Sequence, residues 1–191
     1  MCGTDRPIRL AVDILIFTIL KNKLNILLIQ RRNAPYQGQY AIPGGFVELE
    51  ESIREAVFRE LYEEVGVKDI KLHQLHAFGK PGRDPRGRVV TVSYIGMVNA
   101  STISPHASDD AENAEFFPVD DLPELAFDHD KIVDFGVGEL RRIPNSFDVV
   151  RDYFTGSFSS KDLYDLYMIV KEDVVNKIAF QRLIESYLEI N

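Results

Sequence analysis

The sequence predicts a mixed α/β body followed by a small helical tail. Three observations predict it. Two β-rich apolar runs, Arg9–Leu20 and Leu24–Gln30, lie close together near the start. A segment with clear helix signals, Ser52–Val65, follows a turn-rich stretch. Past residue 125 the apolar spacing becomes helical and stays so.

Ile14, Ile16 and Phe17 mark the first run and Ile26, Leu28 and Ile29 the second. Lys21-Asn22-Lys23 between them makes the pair read as a hairpin. Residues 31–45 are polar and turn-rich, with Pro35, Gly38, Pro43, Gly44 and Gly45. Ser52 and Glu55 form a capping box at the start of the helix, and Gly66 stands where a helix stops. Ile70–Phe78 and Val89–Val98 read as strands around a charged loop, residues 79–88. After a polar loop, 101–113, Ala114–Val119 reads as a short strand. Helical spacing then covers Asp128–Arg142, Ser159–Glu172 and Val174–Ile190. The division expected is 1–125 for the body and 126–191 for the tail. No internal repeat or low-complexity tract is present.

A chain of 191 residues buries enough surface to fold without staples. Its net charge of -8 argues against passive binding of polyanions, which relies on Lys and Arg. A small phosphorylated substrate remains compatible, because a divalent cation masks the repulsion. Cys2 is the one cysteine, so the chain holds no disulfide, which fits a reducing cytoplasm. The apolar stretch Leu10–Leu20 contains Asp13 and falls short of the ~20 residues that span a bilayer. It lacks a basic leader and a cleavage site, so a strand is expected there and no membrane partner.

The chemistry is concentrated between Gly45 and Val67. At about 100° per residue, Glu60, Glu63 and Glu64 fall on one helix face. One and two turns earlier that face carries Ile53, Ala56 and Val57. Three carboxylates beside a core repel one another and are costly to desolvate. They also stand at the helix end where negative charge is disfavoured. A solvated acidic face is the ordinary reading of such a trio. A hard divalent cation, Mg²⁺ or alternatively Mn²⁺, removes all three difficulties through carboxylate oxygens. Glu51 and Arg59 are expected to pair and brace the preceding loop. Pro43-Gly44-Gly45 lets a backbone approach phosphate closely.

The segment matches, at Gly45, Glu51, Arg59, Glu60, Leu61, Glu63, Glu64, Gly66 and Val67, the Nudix box, and so resembles the Nudix hydrolase superfamily. Gln37-Gly38-Gln39-Tyr40 before it is similar to the family's lead-in, with Tyr40 where Trp is commoner. The resemblance implies the Nudix fold, a mixed sheet sandwiched between helices. It implies attack by water on a phosphoanhydride, with Glu60, Glu63 and Glu64 as metal ligands and Glu51 and Arg59 as support. Phe78-Gly79, Arg83-Asp84-Pro85-Arg86-Gly87-Arg88 and Leu125-Ala126-Phe127-Asp128-His129 resemble ADP-ribose pyrophosphatases and the Nudix-related transcriptional regulators. The expected substrate is therefore a nucleoside diphosphate linked to another group, ADP-ribose or a nucleotide sugar, ahead of a damaged nucleoside triphosphate.

Arg31, Arg32, Arg83, Arg86 and Arg88, with Gly44 and Gly45, are the candidates for holding that substrate. Glu112 is the preferred general base among the acidic residues Asp109, Asp110, Glu112 and Glu115. His129 is read as a capping or packing residue, and Tyr164, Tyr167 and Met168 as core. A homodimer is what the resemblance implies.

In the related regulators the C-terminal part is a DNA-binding winged helix, and Phe147–Asn191 resembles its helical portion. Residues 145–191 hold five Lys or Arg against eight Asp or Glu, a net of -3, and no β-hairpin wing follows the last helix. DNA is thus possible but disfavoured as a partner. The rival expectation is a ligand-sensing transcriptional regulator that uses this domain to bind its effector.

Overall fold

The computed structural model describes residues 7–68, 70–103, 111–142, 146–172 and 176–190. Seven strands form one mixed sheet: β1 (Arg9–Leu20), β2 (Lys23–Arg31), β3 (Tyr40–Ala41), β4 (Gly44–Phe46), β5 (His73–Phe78), β6 (Val89–Met97) and β7 (Ala111–Pro118). Among the described residues five α-helices accompany it: α1 (Ile53–Val65), α2 (His129–Leu140), α3 (Phe147–Arg151), α4 (Ser160–Lys171) and α5 (Lys177–Ile190). The order runs β3-β2-β1-β6-β5, with β4 on β1 and β7 on β2. Only β1 and β6 are parallel; the other pairings are antiparallel.

β1 is apolar almost throughout because both of its faces are covered. Its even positions Val12, Ile14 and Ile16 join a core with Ala56, Val57, Leu61 and Val65 of α1. Its odd positions Leu15 and Phe17 join a second core with residues of α2, α3, α4 and α5. The period of two along the strand thus assigns one face to α1 and the other to the tail helices. The tail helices share a continuous core with the sheet.

The predicted hairpin is present, with Lys21 and Asn22 both at positive φ in its turn. Its strands then part. The β1–β2 ladder runs from Leu20↔Lys23 to Phe17↔Ile26. Beyond it Ala11–Asp13 pairs with β4, while Ile29 and Gln30 pair with β3. The opening between the diverging ends is where the site forms. β3 and β4 lie inside the stretch that reads as loop, because two- and three-residue strands leave no periodicity to detect. α3 was likewise not legible.

α1 begins at the predicted capping box: Ser52 accepts from the Glu55 N–H and Glu55 accepts from the Ser52 N–H. It ends at Gly66, whose φ of 71° is left-handed and whose N–H bonds the Tyr62 carbonyl. α4 starts with the same device at Ser159 and Asp162. No helix among the described residues is long and apolar enough to cross a membrane.

The left-handed cap gives a direct test. Gly66→Ala should cost about 1 kcal/mol, a fall in Tm of roughly 2–4 °C for a chain of this size. Thermal unfolding by circular dichroism reads it, and an unchanged Tm would show that the cap carries no strain.

Candidate functional site

Arg59 is the hub of the acidic end of α1. Its Nε and Nη2 donate to the two oxygens of Glu51 at 2.9 and 2.6 Å, a bidentate pair. Nη2 also donates to the Phe46 carbonyl at 3.0 Å, so the side chain ties β4, the loop and the helix together. Nη1 reaches Glu60 at 2.8 Å and Glu63 at 3.0 Å. The hydrogen bonds from Arg59 hold the Glu51 carboxyl down at about 2. Glu51 in turn is the first of several carboxylates that push the Arg59 guanidinium above its usual range. Glu60 goes the other way, because burial raises its carboxyl more than Arg59 holds it down.

Gly44 and Gly45 stand against these carboxylates. The Gly44 N–H donates to Glu64 at 2.7 Å. Its φ is +152°, and a Cβ there would lie 2.1 Å from the Val12 carbonyl oxygen. A Cβ on Gly45 would lie 2.2 Å from Glu60 Oε1, so the carboxylate fills the space a side chain would take. Gly44 is thus glycine because the β1 backbone presses on it, and Gly45 because the Glu60 carboxylate does. Glu60 and Glu64 flank the buried stripe of α1, while the Glu63 side chain is 52% exposed.

These residues fit a hard divalent cation. The donors are all carboxylate oxygens, and the Arg59 Nη1 atom bridging Glu60 and Glu63 stands in for a cation between them. Among the described residues no three acidic, His or Cys side chains converge as a ready-made cage. Glu60 and Glu63 turn to Arg59, and Glu64 to the Gly44 N–H.

A cleft opens beside Gly44 and Gly45, lined by Asp13 and Arg31 from the strands, by Arg83, Arg86 and Phe127 from the loops around them, and by His129 at the start of α2. Arg83 is deeply set, its side chain 5% exposed, and pairs with Asp128 at 2.7 Å and Asp13 at 3.3 Å. Its charge is satisfied within the wall. His129 Nδ1 accepts from the Ile42 N–H at 3.0 Å, so Nε2 carries the proton, 3.5 Å from Asp13. Burial lowers its basicity and keeps the ring neutral.

Arg31 and Arg86 stand nearer the mouth. Arg31 donates to the carbonyls of Pro35 and Asn33. Burial first, and the neighbouring Arg86 second, lower its pKa. Arg86 forms a bidentate pair with Asp84. Burial opposes charge on Asp84, yet Arg86 keeps its carboxyl below the usual range.

Of the five candidate arginines, the structure brings Arg31, Arg83 and Arg86 to this cleft. Arg32 and Arg88 do not line it. Arg88 donates to the carbonyl of Val89, which lines the cleft, but is not itself part of the lining. Glu112 lies in β7, and its side chain is outside the described residues, as are Asp109 and Asp110. Glu115 accepts from the Tyr40 hydroxyl at 2.6 Å, outside the cleft lining.

Among the charged and aromatic residues of the cleft, Asp13, Phe46, Asp84 and Phe127 had no role assigned from the sequence. Asp13 had a signal, since a lone carboxylate inside a strand buried on both faces calls for a buried partner. Phe127 had none, because its φ of 58° is a property of the folded backbone.

The contact of Gly45 with Glu60 can be tested without turnover. Gly45→Ala should move only the far end of a flexible side chain, so Tm should change by no more than about 3 °C. Mn²⁺ affinity, read by calorimetry, should fall at least about tenfold as Glu60 is displaced. Wild-type Mn²⁺ binding in this variant would disconnect Glu60 from the metal.

Residues 7–135 match the model of the NUDIX domain. The chain is 45% identical over 115 residues to the ADP-ribose pyrophosphatase of Methanocaldococcus jannaschii, covering 60% of this chain and 67% of that one. It is 31% identical over 182 residues to the ADPR responsive transcriptional repressor NtrR of Acinetobacter baylyi, covering 93% and 72%. The crystal structure of Shewanella oneidensis NrtR complexed with a 27mer DNA superposes with a TM-score of 0.72 at 26% identity, covering 93% of this chain and 82% of that one. The match over most of the body, the intact acidic helix and its glycine loop lead to one conclusion: the chain belongs to the NUDIX domain family and is a Nudix hydrolase.

Proposed function

We propose that the chain hydrolyses the pyrophosphate of a nucleoside diphosphate linked to a sugar, with ADP-ribose as the first substrate to consider and Mg²⁺ as the cation. The observation that carries this is the side-by-side placement of the acidic end of α1 and the cationic mouth at Arg31 and Arg86, with Gly44 and Gly45 between. The 45% identity to an ADP-ribose pyrophosphatase supports the choice of substrate.

A bound divalent cation supplies charge neutralisation at the diphosphate and a more acidic water. The protein's own part follows from its residues. Glu60, Glu63 and Glu64 are the ligands offered, and Arg59 with Glu51 holds their helix against the loop. Gly44 and Gly45 let the backbone come close to phosphate. Arg31 and Arg86 face the anion. Glu112 is the carboxylate proposed to take the proton from water. The water oxygen bonds to phosphorus as the bridging P–O bond breaks. For ADP-ribose, AMP and ribose 5-phosphate leave.

A second reading adds regulation to hydrolysis. It is favoured by the identity to a repressor along 93% of the chain and by the likeness to a DNA-bound structure over the same share. The acidic balance of the tail weighs against it.

Incubation with ADP-ribose and Mg²⁺ should release AMP and ribose 5-phosphate, and EDTA should abolish the release. Glu64→Gln should lower kcat by at least about a hundredfold while Tm holds within about 3 °C, because it removes one metal-directed charge. Full turnover in that variant would remove Glu64 from the metal set. For the second reading, the full chain is expected to select no sequence from a random duplex library at physiological salt. Recovery of one salt-sensitive consensus would establish the regulator.

A further inference from the structure

Phe127 stands in a position that its backbone resists. Its φ is 58°, left-handed, which costs a bulky residue of order 1–3 kcal/mol unless the surroundings impose it. The surroundings do impose it. The Ala126 N–H bonds the Tyr40 carbonyl at 2.8 Å. His129, two residues beyond Phe127, receives the Ile42 N–H at 3.0 Å. The segment is stitched at both ends to the chain around β3, and the ring projects between the stitches.

The ring lies among cations. The Arg31 guanidinium carbon sits 4.8 Å from its centroid and that of Arg86 5.1 Å. Arg86 is also 4.8 Å from the Phe46 ring, and Arg9 packs on Phe46 at 4.1 Å. Cations and rings thus alternate as Arg9, Phe46, Arg86, Phe127, Arg31, and the last four of them line the cleft. Tyr36, itself left-handed with φ 63°, meets Phe127 at 4.8 Å from outside. Two guanidiniums side by side repel, and an aromatic face is attractive to both. Asp84 offsets the charge of Arg86, whereas Arg31 donates to the carbonyls of Pro35 and Asn33.

We propose that Phe127 is a positioning residue: it holds Arg31 and Arg86 together at the mouth so that they meet the substrate diphosphate as a preset pair. The role rests on the hydrolase reading above. It concerns binding, since the pair faces the same charge before and during reaction. Removing the ring lets the two cations splay apart and weakens binding, while the acidic end of α1 is untouched.

The test uses four proteins: wild type, Phe127→Leu, Phe127→Gly and Phe127→Tyr. Glycine removes the ring and suits the left-handed backbone, so it guards against a leucine variant that fails to fold. ADP-ribose hydrolysis with Mg²⁺ gives KM and kcat, and ADP-ribose calorimetry in EDTA gives Kd. Leu and Gly should raise KM, and any Kd measurable in EDTA, about tenfold with kcat within about twofold, and Tyr should restore wild-type values. An unchanged KM in both Leu and Gly, or a fall in kcat in place of the rise in KM, overturns the role of Phe127. A wild type that neither hydrolyses nor binds ADP-ribose overturns the proposed function instead, and this inference with it.

Discussion

The acidic end of α1 depends on one counter-charge. Glu51, Glu60 and Glu63 all converge on the Arg59 guanidinium, and among the described residues none of them bonds another cation. Without it the helix would carry several partly buried like charges at its negative end. The same guanidinium bonds the Phe46 carbonyl, so the electrostatic repair also sets where β4 and the glycine loop lie. A side chain at Gly45 would then displace the repaired carboxylate, which occupies that space. Loop, helix and acidic cluster are one constraint satisfied once.

That constraint was legible in the sequence because it is local. Gly45, Glu51, Arg59 and the three glutamates fall within twenty residues at spacings that a capped helix fixes. The pairing of Glu51 with Arg59 was expected, and the fork has that geometry. The body's strands were legible for a related reason: β1 and β2 are long and buried, and the hairpin turn lies between them. What escaped is non-local. The cleft wall joins Asp13 of β1 to Arg83 and Asp128, residues 70 and 45 positions apart along the chain from that arginine. No spacing rule links them. Arg83 reads as a phosphate clamp when considered alone, and only the fold reveals that two carboxylates already hold it. Arg32 and Arg88 read the same way, and the folded chain leaves both out of the cleft lining.

The two halves of the site are of opposite sign, and the backbone keeps them apart. Acidic side chains come from one helix, covering one face of the sheet. The arginines of the mouth come from the end of β2 and from the 79–88 loop. Gly44 and Gly45 run between them on β4, the strand that fills the gap where β1 leaves β2. The acidic helix end and the arginine mouth therefore flank the glycines of that strand. Parting of the hairpin strands is thus what makes room for chemistry in an otherwise continuous sheet.

The tail is built into this arrangement. α2 opens at His129, and the residue before it, Asp128, holds Arg83 in the cleft wall. Val133 and Leu140 of the same helix lie in the core that Leu15 and Phe17 of β1 share with α4 and α5. The last helices are tied in by polar contacts as well. Asp152 accepts from Lys71 and lies 2.8 Å from His73 of β5, and Arg151 beside it bonds Tyr187 of α5. Helices covering one sheet face therefore reach the cleft through α2, whose first residue, His129, lines the wall. Whatever the tail contacts, it does so from a body whose packing begins one residue after the side chain that fixes Arg83.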